Sequence, residues 1–410
     1  MRILEISECF PNKFKPVTGE FILQHAKALS EFCSLTMLVP LRLMPPRELF
    51  KVNPFRFIRN IYKWYRNIYE TKNISEGNLE VVYLPYFSLP KPYFDRLNEK
   101  MTEVFFYNGF KKFAESFNPD IIYCNWINPW SNISYRLSRE FRKPFVIDHH
   151  EDIPTLKKLN PDNYREQLNK FENADKIIVH STLNKTELEN ENLKLKEVKI
   201  IYLGQNFNIT QSRKVFNYDE PRIVCVSHLY EPRKNIDVLI KAFDNLNKNL
   251  PSKLTIAGDG SLKSSYEELS ASLPSGSSIS FRGSLSQDEI GNLLDESDIF
   301  VLPSYPEAFG IVLIEAIAKG LPVVTCRGNG GGEELLKLGY PVILAEPGSS
   351  ENLSGKISGL VNDREKMDLM SVTGKNIARR YFSWKINAEE TYGFLKTTLD
   401  EFYGKNKCAE

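Results

Sequence analysis

The sequence predicts an α/β protein built as two doubly wound, Rossmann-like halves, and three observations carry that expectation. Its 410 residues are long for one domain and comfortable for two, and 42% of them are hydrophobic, enough for ordinary buried cores. The candidate strands are continuous apolar runs rather than in-out alternations, as in sheets covered by helices on both faces. The succession of short strand and helical stretch runs through the first half of the chain and then repeats in the second.

In order, strands are expected at 3–6, 35–39, 81–84, 121–123, 145–147 and 177–179, then at 223–226, 253–257, 279–281, 299–301 and 323–325. The polar stretch 205–221, ending in Asp219-Glu220-Pro221, is the expected linker. It divides a first domain, 1–204, from a second, 205–384. A helical pattern through Tyr392 and Leu399 follows Phe382-Ser383-Trp384 and fills about 385–410. In folds of this class the ligand lies in the cleft at the carboxyl ends of the strands.

Bulk properties narrow the function. The 53 basic residues balance 52 acids, so no field favours nucleic acid. Six scattered cysteines without a C-x-x-C pair fit a reducing compartment and speak against structural zinc. The start Met1-Arg2-Ile3-Leu4-Glu5-Ile6 lacks the apolar core of a signal peptide, and no stretch approaches the roughly 20 apolar residues of a membrane span. A cytoplasmic protein is expected.

The chemistry concentrates in residues 301–324, Val-Leu-Pro-Ser-Tyr-Pro-Glu-Ala-Phe-Gly-Ile-Val-Leu-Ile-Glu-Ala-Ile-Ala-Lys-Gly-Leu-Pro-Val-Val, which read as strand, loop, helix and strand. Glu307 falls in the loop and Glu315 in the first turns of a helix whose starting amides point back to that loop, an arrangement suited to anions and sugars. Arg233 and Lys234 lie in the loop after the strand at 223–226, facing the cleft. Ala257-Gly258-Asp259-Gly260 is a glycine turn after the strand at 253–257, and Pro16-Val17-Thr18-Gly19 precedes a helix beginning near Ile22.

Together these segments resemble glycosyltransferase family 4, the retaining enzymes of the GT-B fold. The resemblance covers nearly the whole chain and is most specific between Ile223 and Glu334. It implies two Rossmann-like domains facing across a cleft, with the last helix crossing back to the first, and a nucleoside diphosphate sugar as donor. It further implies that Lys234 holds the diphosphate and stabilises the departing nucleotide, that Glu315 binds ribose hydroxyls, and that Glu307 with the amides of Phe309 and Gly310 addresses sugar and diphosphate. Gly258 and Gly260 would lie against the base and ribose, and Gly19 at the diphosphate across the cleft.

The chain departs from the family pattern at two places. Ser227-His228 stands where Gly-Arg is usual, so a phosphate-binding arginine is missing and Arg233 or His228 is left to replace it. Asn125 stands where a cleft histidine orients the reacting sugar or acceptor, and an amide cannot titrate near neutrality. Asp148-His149-His150-Glu151-Asp152 resembles the family's His-Gly-x-Asp, which assigns His149 and Asp152 to the acceptor side. No metal or other cofactor is expected. The implied reaction is front-face transfer of a hexose or N-acetylhexosamine with retention, driven by positioning and electrostatic stabilisation. Two other readings stay open: a degenerate member serving as a scaffold or partner subunit, and a GT-B enzyme with a soluble acceptor or epimerase activity.

One further segment bears on the acceptor. Residues 53–70 form an amphipathic helix with Arg56, Arg59, Lys63 and Arg66 in one sector and Phe55, Ile58, Ile61, Tyr62, Trp64, Tyr65, Ile68 and Tyr69 opposite. From Leu41 to Lys72 the local net charge is +6. Such a helix suits an anionic membrane surface on the cytoplasmic face, where a lipid-linked glycan would be extended; it equally suits a helix packed on its own domain with a wet basic face.

Overall fold

The computed structural model describes every residue except 14–17, 45–53, 90–94, 128–129, 160, 211, 213 and 408–410. Pro16 and Val17 of the first glycine loop, and Asn53 at the head of the amphipathic helix, therefore lie outside the described residues.

Two sheets form. The first contains β1 (Arg2–Ile6), β2 (Ser34–Arg42), β3 (Ile74–Glu76), β4 (Leu79–Tyr86), β5 (Ile121–Asn125), β6 (Phe145–His149), β7 (Lys176–Val179) and β8 (Val198–Ile200). Its order is β3-β4-β2-β1-β5-β6-β7-β8, parallel throughout except for the β3–β4 pair. The second contains β9 (Arg222–Val226), β10 (Lys253–Ala257), β11 (Ile279–Gly283), β12 (Ile299–Leu302), β13 (Val323–Cys326) and β14 (Ile343–Ala345). It runs β11-β10-β9-β12-β13-β14, with every neighbour parallel.

The continuous apolar runs have a direct explanation. In β5, Ile122 and Cys124 join the core on one side of the sheet while Ile121 and Tyr123 join the core on the other. Successive side chains point to opposite faces, so a strand with helices on both sides needs apolar residues at every position. Burying each of these isoleucines is worth about 1.5–3 kcal/mol. The three strands missing from the sequence reading, β3, β8 and β14, are three residues long and pair with one neighbour each. All of β3 is exposed, so no hydrophobic pattern marks it.

No regular element intervenes among the described residues between Ile200 and Arg222. The final helix, Trp384–Lys407, returns to the first domain, where Ala388, Phe394 and Leu395 share a core with Ile22, Ala26 and Leu29 of helix Glu20–Ser30. Its Asn387 donates to the Tyr202 carbonyl at 2.8 Å and accepts from His25 Nδ1 at 2.6 Å. The domains also touch directly: Ser181 Oγ donates to the Ala308 carbonyl at 2.9 Å, and Glu334 accepts from the Thr182 amide and the Tyr202 hydroxyl, both at 2.7 Å. No described helix is long and apolar enough to cross a membrane.

Candidate active site

After β12 the chain makes a loop and enters helix Ile311–Ala318, capped by Gly310 in the left-handed region at φ 77°. The helix is buried from Leu313 to Ala318, and Glu315 is its only acid. Burial pushes the Glu315 carboxyl up to about 7, only partly offset by the hydrogen bond from Gln287 Nε2 at 2.6 Å.

The loop ahead of this helix is stitched on both sides. Asn235 Nδ2 donates to the Pro303 carbonyl, the Tyr305 amide to the Arg233 carbonyl and Arg233 Nη1 to the Pro306 carbonyl, each at 2.9 Å. On the other side the Gly330 amide donates to the Glu307 carbonyl at 2.8 Å. Gly330 and Gly331 open helix Gly330–Lys337, and a Cβ on either would fall 2.0 Å from the Ala308 carbonyl oxygen or 1.8 Å from that of Phe309. These glycines are therefore part of the loop's bed. The sequence signal for this bed is the run Gly330-Gly331-Gly332, which forms the first turn of that helix.

At the centre, Lys234 Nζ lies 2.5 Å from Glu307 Oε2, with both side chains buried. Arg233 Nη1 lies 3.8 Å from Glu307 Oε1 and, across the cleft, 3.5 Å from Asp152 Oδ2, while its Nε also pairs with Glu231. Burial alone would raise the Glu307 carboxyl, but Lys234 and Arg233 outweigh it and hold it below the usual range. Two cations thus face three carboxylates, and an incoming diphosphate would compete with those carboxylates for Arg233 and Lys234. His228 stands at the exposed mouth, where partial burial and then the Lys234 charge lower its basicity. Gly258 and Gly260 pack against the loop after β9; a Cβ on Gly258 would meet the Ser227 carbonyl oxygen at 1.8 Å. Phe309 packs between Tyr202 and Phe382, with ring centroids 6.4 and 6.0 Å away. Gly19 caps helix Glu20–Ser30 from the first domain.

The acceptor side differs from the sequence expectation at two residues. His149 does not face the cleft. It ends β6 pointing into the core, edge-on to Phe171 at 4.9 Å with both ring nitrogens unpartnered, and burial pushes it down to about 3. Strand alternation is the reason, because it sends Asp148 and His150 to the opposite side. Asn125 is also wholly interior: its Nδ2 donates to Glu5 Oε1 at 2.5 Å and its Oδ1 lies 3.0 Å from His150 Nε2. The amide therefore assigns the proton to His150 Nε2. Asp152 caps helix Ile153–Leu159 by accepting from the Thr155 amide at 2.7 Å and turns its other oxygen to Arg233.

Around Asn125 lies a polar cluster that sequence reasoning missed. Asp148 accepts from the Tyr123 hydroxyl and lies 3.0 Å from His180 Nε2, while His180 Nδ1 donates to the Ile201 carbonyl at 2.8 Å. Burial opposes charge on Asp148, yet His150 and His180 keep its carboxyl well below the usual range, whereas burial lifts Glu5 to about 8. Ligand atoms of Asp148, His150 and His180 come within 4.8 Å of one another. The two imidazoles stack at 4.4 Å and 28°, and His150 Nε2 and His180 Nδ1 are each committed to a hydrogen bond within the protein, so the cluster reads as a hydrogen-bonded network. The signal for His180 was a histidine ending the apolar run Ile177-Ile178-Val179.

Residues 208–377 match the family described as glycosyl transferases group 1. An uncharacterized glycosyltransferase of Methanocaldococcus jannaschii is 29% identical over 67% of this chain and 74% of its own length. The N-acetyl-alpha-D-glucosaminyl L-malate synthase of Bacillus anthracis is 28% identical over 86% of this chain and 89% of its own. Among solved structures, Anabaena HepE in complex with UDP-glucose superposes with a TM-score of 0.70 at 18% identity, covering 97% of this chain and 100% of that one.

Proposed function

We propose that this chain, whose residues 208–377 match the group 1 glycosyltransferases and which carries the GT-B fold, transfers a hexose or N-acetylhexosamine, with retention, from a nucleoside diphosphate sugar to a lipid-linked glycan. The observation that carries the donor half is the buried Lys234–Glu307 pair beside helix Ile311–Ala318, with Glu315 further along that helix. Lys234 and Arg233 take the diphosphate as Glu307 and Asp152 give way, and Lys234 then meets the charge that develops on the leaving phosphate. Glu315 accepts from ribose hydroxyls. Attack from the same face lets the leaving phosphate receive the acceptor proton, so the loss of a titrating group at Asn125 is tolerated. The reaction needs no metal or other cofactor in this reading. The protein is cytoplasmic and works at the inner face of the membrane, to which its basic helix 54–70 holds it. A soluble acceptor is the second reading, favoured by the name of the Bacillus anthracis relative, a synthase of a glucosaminyl malate.

The test is a thermal-shift and calorimetric screen against UDP-, GDP- and ADP-sugars, with Glu315→Ala as control. One nucleotide class should bind to the natural protein and not to the variant; binding of none would move the assignment to a scaffold. A pH series sharpens it. A carboxylate accepts ribose hydroxyls better than a carboxylic acid, and Glu315 titrates near 7, so donor affinity should rise between about pH 6 and 8. The Glu315→Gln protein should show no such rise, and equal slopes in both would remove Glu315 from the ribose site.

A further inference from the structure

Helix Pro54–Glu70 does not divide into one apolar and one basic half. Ile61, Trp64 and Ile68 turn toward the domain: Ile68 is buried and Trp64 Nε1 donates to the Leu43 carbonyl at 3.0 Å. The adjacent stripe of Ile58, Tyr62 and Tyr65 faces outward, with Ile58 and Tyr62 each 66% exposed. The basic sector follows directly beside it, Arg59 and Lys63 both exposed. An exposed apolar stripe thus borders an exposed basic one.

A second element repeats the feature. Helix Asp95–Met101 continues into a π turn, Thr102–Phe106, which buries Thr102 and sets Phe106 against Tyr86 at 6.0 Å. Between them Val104 and Phe105 are left 67% and 69% exposed, among the most exposed large apolar side chains of the described residues. π turns cost hydrogen-bond regularity and recur at functional positions.

Both elements hang from one corner of the first sheet. They follow β2 and β4, which are parallel neighbours. The Leu43 amide donates to the Tyr86 carbonyl at 2.7 Å, Arg42 Nη2 to the Leu89 carbonyl at 2.8 Å, and the Leu89 amide to Asn98 Oδ1 at 2.6 Å. This corner lies at the carboxyl edge of the sheet, the edge that forms the cleft. Two elements leaving one corner of the sheet thus each expose a pair of large apolar side chains, more than a surface that meets only water needs.

We infer that helix 54–70 and segment 95–106 form one two-pronged docking face for an anionic bilayer, with Ile58, Tyr62, Val104 and Phe105 entering the acyl boundary and Arg59 and Lys63 at phosphate level. Charge selects this occupant. A second copy docked on the same face would bring basic stripe against basic stripe, whereas anionic headgroups neutralise it. The inference rests on the lipid-linked acceptor reading for its purpose, since docking here opens the cleft toward the membrane, but its test does not depend on that reading.

The experiment is co-sedimentation of the full chain with phosphatidylcholine vesicles, with and without phosphatidylglycerol. The natural protein should pellet with the anionic vesicles. Val104→Ser with Phe105→Ser should weaken this about tenfold or more, and Arg59→Glu with Lys63→Glu should abolish it. All variants should keep the natural melting temperature and its response to the nucleotide sugar. Pelleting unchanged by the Val104/Phe105 pair overturns the two-pronged face, as does a dimer in sedimentation velocity that the same pair dissolves. If a serine pair melts early, Phe105→Ala alone carries the comparison. Vesicle binding without any nucleotide-sugar binding would sink the transfer reading and leave this one standing.

Discussion

Replacing Lys234 with alanine is expected to lower turnover about 10²–10³-fold, the usual loss when a donor aimed at developing transition-state charge is removed. Lys234 is a buried ammonium 2.5 Å from Glu307. The same change should also destabilise the fold by about 3 kcal/mol, because it leaves the Glu307 carboxylate buried with Arg233, 3.8 Å away, as its remaining cation and Ser304 as a neutral hydrogen-bond partner. The two effects separate in a double variant. Lys234→Ala with Glu307→Gln removes the stranded charge and should recover most of the melting temperature, yet turnover should stay at the level of the single variant or below. Steady-state kinetics and thermal unfolding on the four proteins decide it. Restored turnover in the double variant would make the pair structural only.

Gly331→Ala should abolish measurable donor binding, a loss of at least about 100-fold, although Gly331 need not touch the donor. A Cβ there would stand 1.8 Å from the Phe309 carbonyl oxygen, and backbone cannot rotate away as a side chain can. The loop 303–310 must shift, and with it Glu307 and the start of helix Ile311–Ala318. A misplacement of an ångström is enough to cost about two orders of magnitude. Gly355→Ala is the control: it sits in helix Ser350–Val361 with nothing within 4 Å of its new Cβ, and should be neutral or stabilise by about 0.5–1 kcal/mol. Calorimetry with the nucleotide sugar identified by the screen reads both. Normal affinity in Gly331→Ala would show that the loop tolerates displacement.

Much of the loop and helix at 303–318, the proposed donor side, was legible because its signals are contiguous. Glu307, Gly310 and Glu315 belong to one strand-loop-helix string, and a loop that ends on a left-handed glycine before an apolar helix has few ways to fold. The pairing of Lys234 with Glu307 was not legible, since 73 residues separate them. On the acceptor side the sequence reading placed the polar segment correctly at a strand end but chose His149 from two adjacent histidines. One residue of register decides which of the two enters the core. Asn125 presents the same difficulty: its partner Glu5 is 120 residues away, and a carboxylate in the middle of a central strand has no local explanation. Helix 54–70 was legible as amphipathic, but its apolar half is split between a packed stripe and an exposed one, which depends on where the neighbouring strand ends.

The sequence by itself determined most strands of the two sheets, their succession along the chain and the loop 303–310, because each is written in residues that are neighbours in the chain and obey local rules of periodicity, capping and turn geometry. The tertiary structure alone decided which polar side chains meet. Those partners are brought together by sheet order and strand register, and whether a histidine, an amide or a carboxylate serves chemistry or packing is set by the groups facing it across that register.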